Sequence, residues 1–268
     1  MEPINSSNQI NFFTFIGKYT LNVINHLGAA VIFFSLGFVR IFRAKQWREI
    51  VKQVYYIGAT STSIVAVVGL FTGMVLGLQL YYTLIKFGAV GVVGAAISLS
   101  IIRELGPVLA AIMIIARAGS AMTAEIGIQR ISEQIDALYT MRIDPVKYLI
   151  SPRIAAAIIS FPILTAFFDL IGIIGGWLTA VLLLGVNEGA YFYRALSSLE
   201  TIDIQGGFIK SIVFAVIVST ICCYQGYFTH LRTDSHGSKS VSVSTTSAVV
   251  LSCVIVLISD YVVTTFLM

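Results

Sequence analysis

The sequence predicts an all-α integral membrane protein: five transmembrane helices plus an N-terminal interfacial helix and an amphipathic cytoplasmic helix between the second and third spans. Three observations carry this. Hydrophobic residues make up 57% of the 268 residues, charged residues only 11%, and the mean hydropathy is +0.91. A soluble domain carries about 25% charged residues, so this chain cannot clothe a water-facing surface. Uncharged or nearly uncharged runs long enough to cross a bilayer, about 20 residues, recur along it. Lysine and arginine concentrate in alternate connecting segments, with thirteen on one side and three on the other. The positive-inside rule then places the N-terminus in the cytoplasm and the C-terminus outside.

Taken in order, residues 1–52 form a polar N-terminal segment with an interfacial or elbow helix, and 53–268 form the membrane domain. Leu27–Val39 is too short to span. It is followed by Arg40, Arg43, Lys45, Arg48 and Lys52 around Trp47, which suits a helix lying in the cytoplasmic leaflet beside anionic headgroups. A short signal anchor is the rival reading. No small-x-small cleavage site follows the run, so no cleavable signal peptide is expected.

The first full span is Gln53–Ile85, which is free of charge and carries Gly69, Gly73 and Gly77 at four-residue spacing. Such a ridge lets another backbone approach closely, within the chain or across a symmetric dimer; spacing favours neither. The second span, Phe87–Ala116, holds Arg103 and Glu104 a little past its middle. A charge at that depth costs about 2.5–3.5 kcal/mol on insertion scales, so each needs a partner or a cavity. Neighbours on a helix point about 100° apart and need not pair with each other; Asp169 and Asp260 are possible partners. Pro107 has no N–H to offer the carbonyl of Arg103 and can bend the helix there. The pair reads either as a polar patch beside a cavity, with Arg103 suited to a phosphate or carboxylate, or as an ion pair holding helices together.

Residues 117–153 are the one large polar segment after the first span. Ile128, Ile131, Ile135 and Leu138 recur at helical spacing while Glu125, Arg130, Glu133 and Asp136 take other faces, predicting one amphipathic helix between Ala121 and Leu138. Asp144–Pro145 reads as the start of the helix entering the third span, Ile154–Gly185. A short surface helix is expected in 186–210, then a fourth span Ser211–Thr229 and a fifth Ser240–Ser259.

Several chemistries are excluded. There is no GxxxxGK[ST] loop; Gly237-Ser238-Lys239-Ser240 lacks its spacing. HExxH and GxSxG are also absent. Cys222, Cys223 and Cys253 lie in apolar stretches without ligand spacing, and His26, His230 and His236 are scattered near span ends, so no metal site is predicted. The modest net charge of +4 follows from loop lysines and arginines and gives no reason to expect a nucleic acid partner. If the chain serves ATP-driven transport, another chain must hydrolyse the ATP.

Arg103-Glu104-Leu105-Gly106-Pro107-Val108, Ala116-Arg117-Ala118-Gly119-Ser120-Ala121, Ala124-Glu125-Ile126-Gly127, Glu133-Gln134-Ile135-Asp136-Ala137-Leu138, Asp144-Pro145 and Pro152-Arg153 together resemble the MlaE/YrbE permease family, as does Gly73-Met74-Val75-Leu76-Gly77-Leu78-Gln79. The resemblance runs from about Gln53 to the C-terminus. It implies a non-enzymatic permease subunit of an ABC-type transporter in the inner membrane of a Gram-negative bacterium, moving phospholipids between inner and outer membranes. It further implies a homodimer, an MlaF-like ATPase holding the ATP and magnesium, an MlaB-like accessory protein and an MlaD-like MCE ring. By position it places Leu76, Leu78, Gln79, Tyr82, Arg103 and Glu104 near a lipid cavity at the dimer interface. The cytoplasmic segment becomes a coupling helix, with Glu125, Arg130, Glu133 and Asp136 as candidate ATPase contacts. The family's glycine-rich stretch before Thr245-Thr246 is replaced here by the glycine-free Ser238–Ser244. From residues alone, the rivals are an ion-coupled secondary transporter using Glu104 and Asp169 as a proton relay, and a membrane scaffold with no transport path.

Overall fold

The computed structural model describes residues 47–231 and 237–267, with a few isolated positions nearer the N-terminus. The interfacial helix expected at 27–39 and the basic residues of 40–45 lie outside the described residues, apart from those isolated positions. Five long apolar helices fill the described part: α1 (Trp47–Phe87), α2 (Val90–Ile131), α4 (Val146–Leu183), α6 (Thr201–Tyr227) and α7 (Ser238–Leu267). Two short helices complete it, α3 (Gln134–Thr140) and α5 (Glu188–Ser197).

Helix α1 begins earlier than the first uncharged residue, because Trp47–Ile57 is an amphipathic lead-in that exposes Trp47, Val51 and Tyr55 on one side. It passes straight through the 52/53 boundary and breaks into a 3-10 turn at Ala59–Ser61. The glycine ridge then packs within the chain. A methyl group on Gly69 would stand 3.2 Å from the carbonyl oxygen of Phe168, one on Gly77 3.2 Å from that of Gly176, and one on Gly73 would overlap the Gly172 carbonyl. From the other side, a methyl on Gly175 of α4 would overlap the Leu70 carbonyl. Two small-residue ridges therefore mesh, the close-approach geometry that membrane helices use where burying hydrocarbon gives no drive.

Helix α2 does not end at Ala116. It runs 42 residues to Ile131, about 60 Å at 1.5 Å per residue, twice the roughly 30 Å of a bilayer's hydrocarbon. Two π-helical stretches interrupt it, Ile101–Leu105 with Arg103 and Ile115–Gly119 with Arg117. Arg117 does not leave the membrane domain. Its Nη1 donates to Thr60 Oγ1 and the Tyr56 carbonyl, bridging the break in α1.

The single amphipathic helix expected over Ala121–Leu138 is two helices. The chain turns at Ser132 and at Glu133, whose φ of 58° is left-handed, a conformation uncommon outside glycine. The turn sets the isoleucines apart: Ile135 is fully buried, while Ile128 is 56% exposed. Helix α4 starts where Asp144–Pro145 predicts, with Asp144 Oδ1 accepting from Val146 N at 3.1 Å.

The expected surface helix is α5, capped by Asn187 Oδ1 accepting from Ala190 N (2.9 Å) and seated on the N-terminal part of α2 through Ser98 Oγ, which donates to the Ala195 carbonyl (3.2 Å). The fourth span starts ten residues before its predicted beginning, so Asp203 and Lys210 lie inside α6 and not in a loop. The glycine-free stretch 238–244 is the first part of α7, with Ser240 and Ser244 buried and Val241 against Gly127 of α2. Helix α2 is the hub of the bundle, packing against α4, α6 and α7.

Candidate functional site

Pro107 and the π-turn before it leave the Arg103 carbonyl available, and α6 supplies its partner. Lys210 Nζ donates to that oxygen at 2.9 Å. The same ammonium lies 2.6 Å from Glu104 Oε2 and 3.1 Å from Asp260 Oδ1, and the Lys210 side chain is only 3% exposed. Arg103 turns the other way: its Nε donates to Asp203 Oδ1 at 2.7 Å, while Asp203 Oδ2 accepts from Glu200 N (3.1 Å) at the start of α6. Thr264 of α7 donates to Glu104 Oε1 at 3.3 Å. Arg103 and Glu104 do not pair with each other. Each reaches a separate residue of α6, and Asp260 is joined to them through Lys210.

Arg103, Glu104, Asp203, Lys210 and Thr264 wall a cavity of about 240 Å³ between α2, α6 and α7, completed by Ile202, Gly206, Gly207 and Leu267. Asp169 stands elsewhere. It faces an apolar cavity of about 310 Å³ on the α4 side of α6, with one carboxyl oxygen sealed against Gly106 and without a hydrogen bond. Two of the groups in the charged cluster, Asp203 and Lys210, are not visible as site residues in the sequence. The available signal was the presence of opposite charges to match Arg103 and Glu104.

The α1 candidates are not in this cavity. Leu78, Gln79 and Tyr82 lie on the exposed face of α1, together with Phe71 and Val75, whereas Leu76 is half-buried and packs on the core. At the C-terminal end of α2, the four predicted contact residues divide. Glu125 Oε2 pairs with Arg153 Nη2 at 2.9 Å, and Arg153 is 3% exposed. Arg130 Nη1 pairs with Asp136 Oδ1 at 2.7 Å, its Nε meets His230 Nδ1 at 2.9 Å, and its guanidinium sits 5.6 Å over the Tyr227 ring. Tyr139 and Tyr227 share a 2.7 Å hydrogen bond. Burial, and then the adjacent Arg130 charge, hold the His230 imidazole below its ordinary pKa, so it is neutral at pH 7 and able to accept from Arg130. Glu133 alone of the four stands exposed at the turn with no side-chain ion pair or hydrogen bond among the described residues; its backbone N–H donates to the Arg130 carbonyl at 3.3 Å.

A bundle of five apolar helices with a charged cavity between three of them defines a polytopic membrane protein built around a polar site. The family model for Permease MlaE matches residues 50–266, and the chain belongs to that family. It is 38% identical to a probable ABC transporter permease protein of Rickettsia typhi, over 96% of this chain and 98% of the relative. It is also 38% identical, over 95% and 97%, to the intermembrane phospholipid transport system permease protein MlaE of Haemophilus influenzae. A chloroplastic protein of Arabidopsis thaliana, trigalactosyldiacylglycerol 1, is 34% identical over 85% of this chain and 64% of its own length.

Proposed function

We propose that this chain is the membrane permease of an ABC-type transporter that moves phospholipids between the inner and outer membranes of a Gram-negative bacterium and so maintains outer-membrane lipid asymmetry. The observation that carries the reading is the charged cavity at Arg103 and Glu104, set within spanning helices of a chain from the Permease MlaE family. Arg103 is 43% exposed there and gives only its Nε to Asp203. Its remaining donors are free to meet a phosphate in the bidentate way that guanidinium favours. The name of the Haemophilus influenzae relative supports phospholipid as the cargo.

With the N-terminus cytoplasmic, the cavity lies toward the outer face and the 117–153 segment lies inside. Two copies pair so that the exposed α1 faces bearing Leu78, Gln79 and Tyr82 border the lipid path, with Leu76 behind them. An MlaF-like ATPase binds ATP and magnesium and docks on the inner turn, an MlaB-like protein accompanies it, and an MlaD-like MCE ring receives lipid outside. Glu133 is the direct ATPase contact, since Glu125, Arg130 and Asp136 already hold the coupling segment together. The ion-coupled alternative lacks a path: Glu104 is paired with Lys210, and Asp169 faces a separate, apolar cavity.

Two measurements test this. In vesicles containing the chain with its ATPase, Arg103→Leu is expected to lower lipid transfer about tenfold, roughly 1.4 kcal/mol of binding or barrier, with the yield of folded protein changed less than about twofold. Equal loss of both would leave Arg103 a structural residue. Glu133→Lys is expected to weaken capture of the ATPase about tenfold, as reversal of an exposed interface charge does, while membrane insertion is unchanged. Undiminished capture would remove Glu133 from the interface.

A further inference from the structure

The cavity presents two charges of opposite sign. Of its four ionisable lining residues, Lys210 (3% exposed) and Asp203 (6%) are turned into the protein, while Arg103 (43%) and Glu104 (39%) open onto the cavity. Its lining adds one hydroxyl, Thr264, and otherwise only Ile202, Leu267 and the two glycines Gly206 and Gly207. The glycines leave the α6 wall without side chains beside the Arg103–Glu104 step. A ligand entering here meets one guanidinium and one carboxylate on consecutive residues of α2.

Resting on the phospholipid reading above, we propose that the headgroup taken by this cavity is zwitterionic with a primary ammonium, as in an ethanolamine headgroup: its phosphate on Arg103 and its ammonium on Glu104. A headgroup with a phosphate and no cation satisfies Arg103 but sets its negative charge beside Glu104, where the low dielectric strengthens repulsion. A primary ammonium donates N–H bonds to the Glu104 carboxylate, which are charge-assisted and short. A quaternary ammonium has no N–H, and proteins recognise it through aromatic cages; the cavity lining contains no aromatic residue. The order of preference that follows is ethanolamine, then choline, then glycerol headgroups.

The test uses the full chain with its ATPase, reconstituted in vesicles holding equal amounts of phosphatidylethanolamine, phosphatidylcholine and phosphatidylglycerol with identical acyl chains, and the transferred lipid is read by mass spectrometry. The wild type is expected to enrich ethanolamine over glycerol headgroups about tenfold, the factor one charge-assisted hydrogen bond supplies. Glu104→Gln is expected to bring that ratio below about twofold by raising the glycerol share. Arg103→Gln is expected to lower all three lipids alike. Equal transfer of the three by the wild type overturns the proposal, as does an unchanged ratio in Glu104→Gln. Because Glu104 also holds Lys210, a second measurement is independent of that variant's folding: native mass spectrometry of lipid retained by the purified wild-type chain, with ethanolamine enrichment supporting the assignment and equal retention overturning it. A wild-type complex that moves no phospholipid sinks the function itself, and this assignment with it.

Discussion

Lys210→Met is expected to destabilise the folded chain by about 3 kcal/mol, near the lower end of the range for removing one partner of a buried ion pair. The ammonium serves three acceptors at once: Glu104, Asp260 and the Arg103 carbonyl. Methionine keeps the length of the stem and removes every donor. Two carboxylates are then left facing each other inside the bundle, beside a backbone oxygen that Pro107 cannot satisfy. Glu104 is partly open to the cavity, and its access to water is what keeps the expected loss from the top of the range. Thermal unfolding in lipid nanodiscs measures the effect. The double variant Lys210→Met with Glu104→Gln should recover part of the loss, because one of the stranded charges is gone. If Lys210→Met unfolds at the wild-type temperature, the cluster is not a structural bond between α2, α6 and α7. This dual role separates Lys210 from Arg103. Lys210 closes the helices together, whereas Arg103 retains donors toward the cavity, so substitution at Arg103 is the cleaner probe of transport.

The same cluster marks how far the sequence could be read. Uninterrupted hydropathy is a local property, and it located the interior of every span. Charge is also a local signal, and it misplaces two boundaries. Lys210 closes the segment 186–210 expected as a surface helix because a lone lysine ends an apolar window; its compensation comes from Glu104 and Asp260, far away along the chain. Arg117 looked like the exit from the membrane, yet its guanidinium bridges the break in α1 and the helix continues to Ile131. That Arg103 and Glu104 required partners was legible from the energetics of charge in a bilayer. Which partners they found depended on α6 beginning at Thr201. The turn at Glu133 has no glycine or proline to announce it, and a glutamate there takes a left-handed φ that local preference disfavours. The polar segment therefore has a different construction from the single helix its periodicity predicts: two helices, braced to the C-terminal end of α6 by Arg130, Asp136, His230 and the Tyr139–Tyr227 hydrogen bond.

Gly73→Val is expected to have an effect of similar size through packing alone. A methyl group at Gly73 already overlaps the Gly172 carbonyl, and backbone cannot swing aside as the tip of a side chain can. Valine adds two further methyls and holds them stiffly at χ1. The α1–α4 seam must open over Gly69, Gly73 and Gly77 together, because Phe168, Gly172 and Gly176 follow one another along a single face of α4. Overpacking a well-packed site costs about 1–3 kcal/mol, and with backbone as the obstacle the expected value is about 3 kcal/mol. Gly88, with nothing within 4 Å of a methyl group but a φ of 65°, tests the opposite case: Gly88→Ala should lose about 1 kcal/mol from left-handed strain alone. The pair of measurements, thermal unfolding of each variant in the same nanodiscs, distinguishes close approach from backbone conformation as the reason for glycine. A Gly73→Val chain as stable as the wild type would mean that the ridge does not mesh with α4 and is free to serve between two copies of the chain, the alternative that the four-residue spacing leaves open.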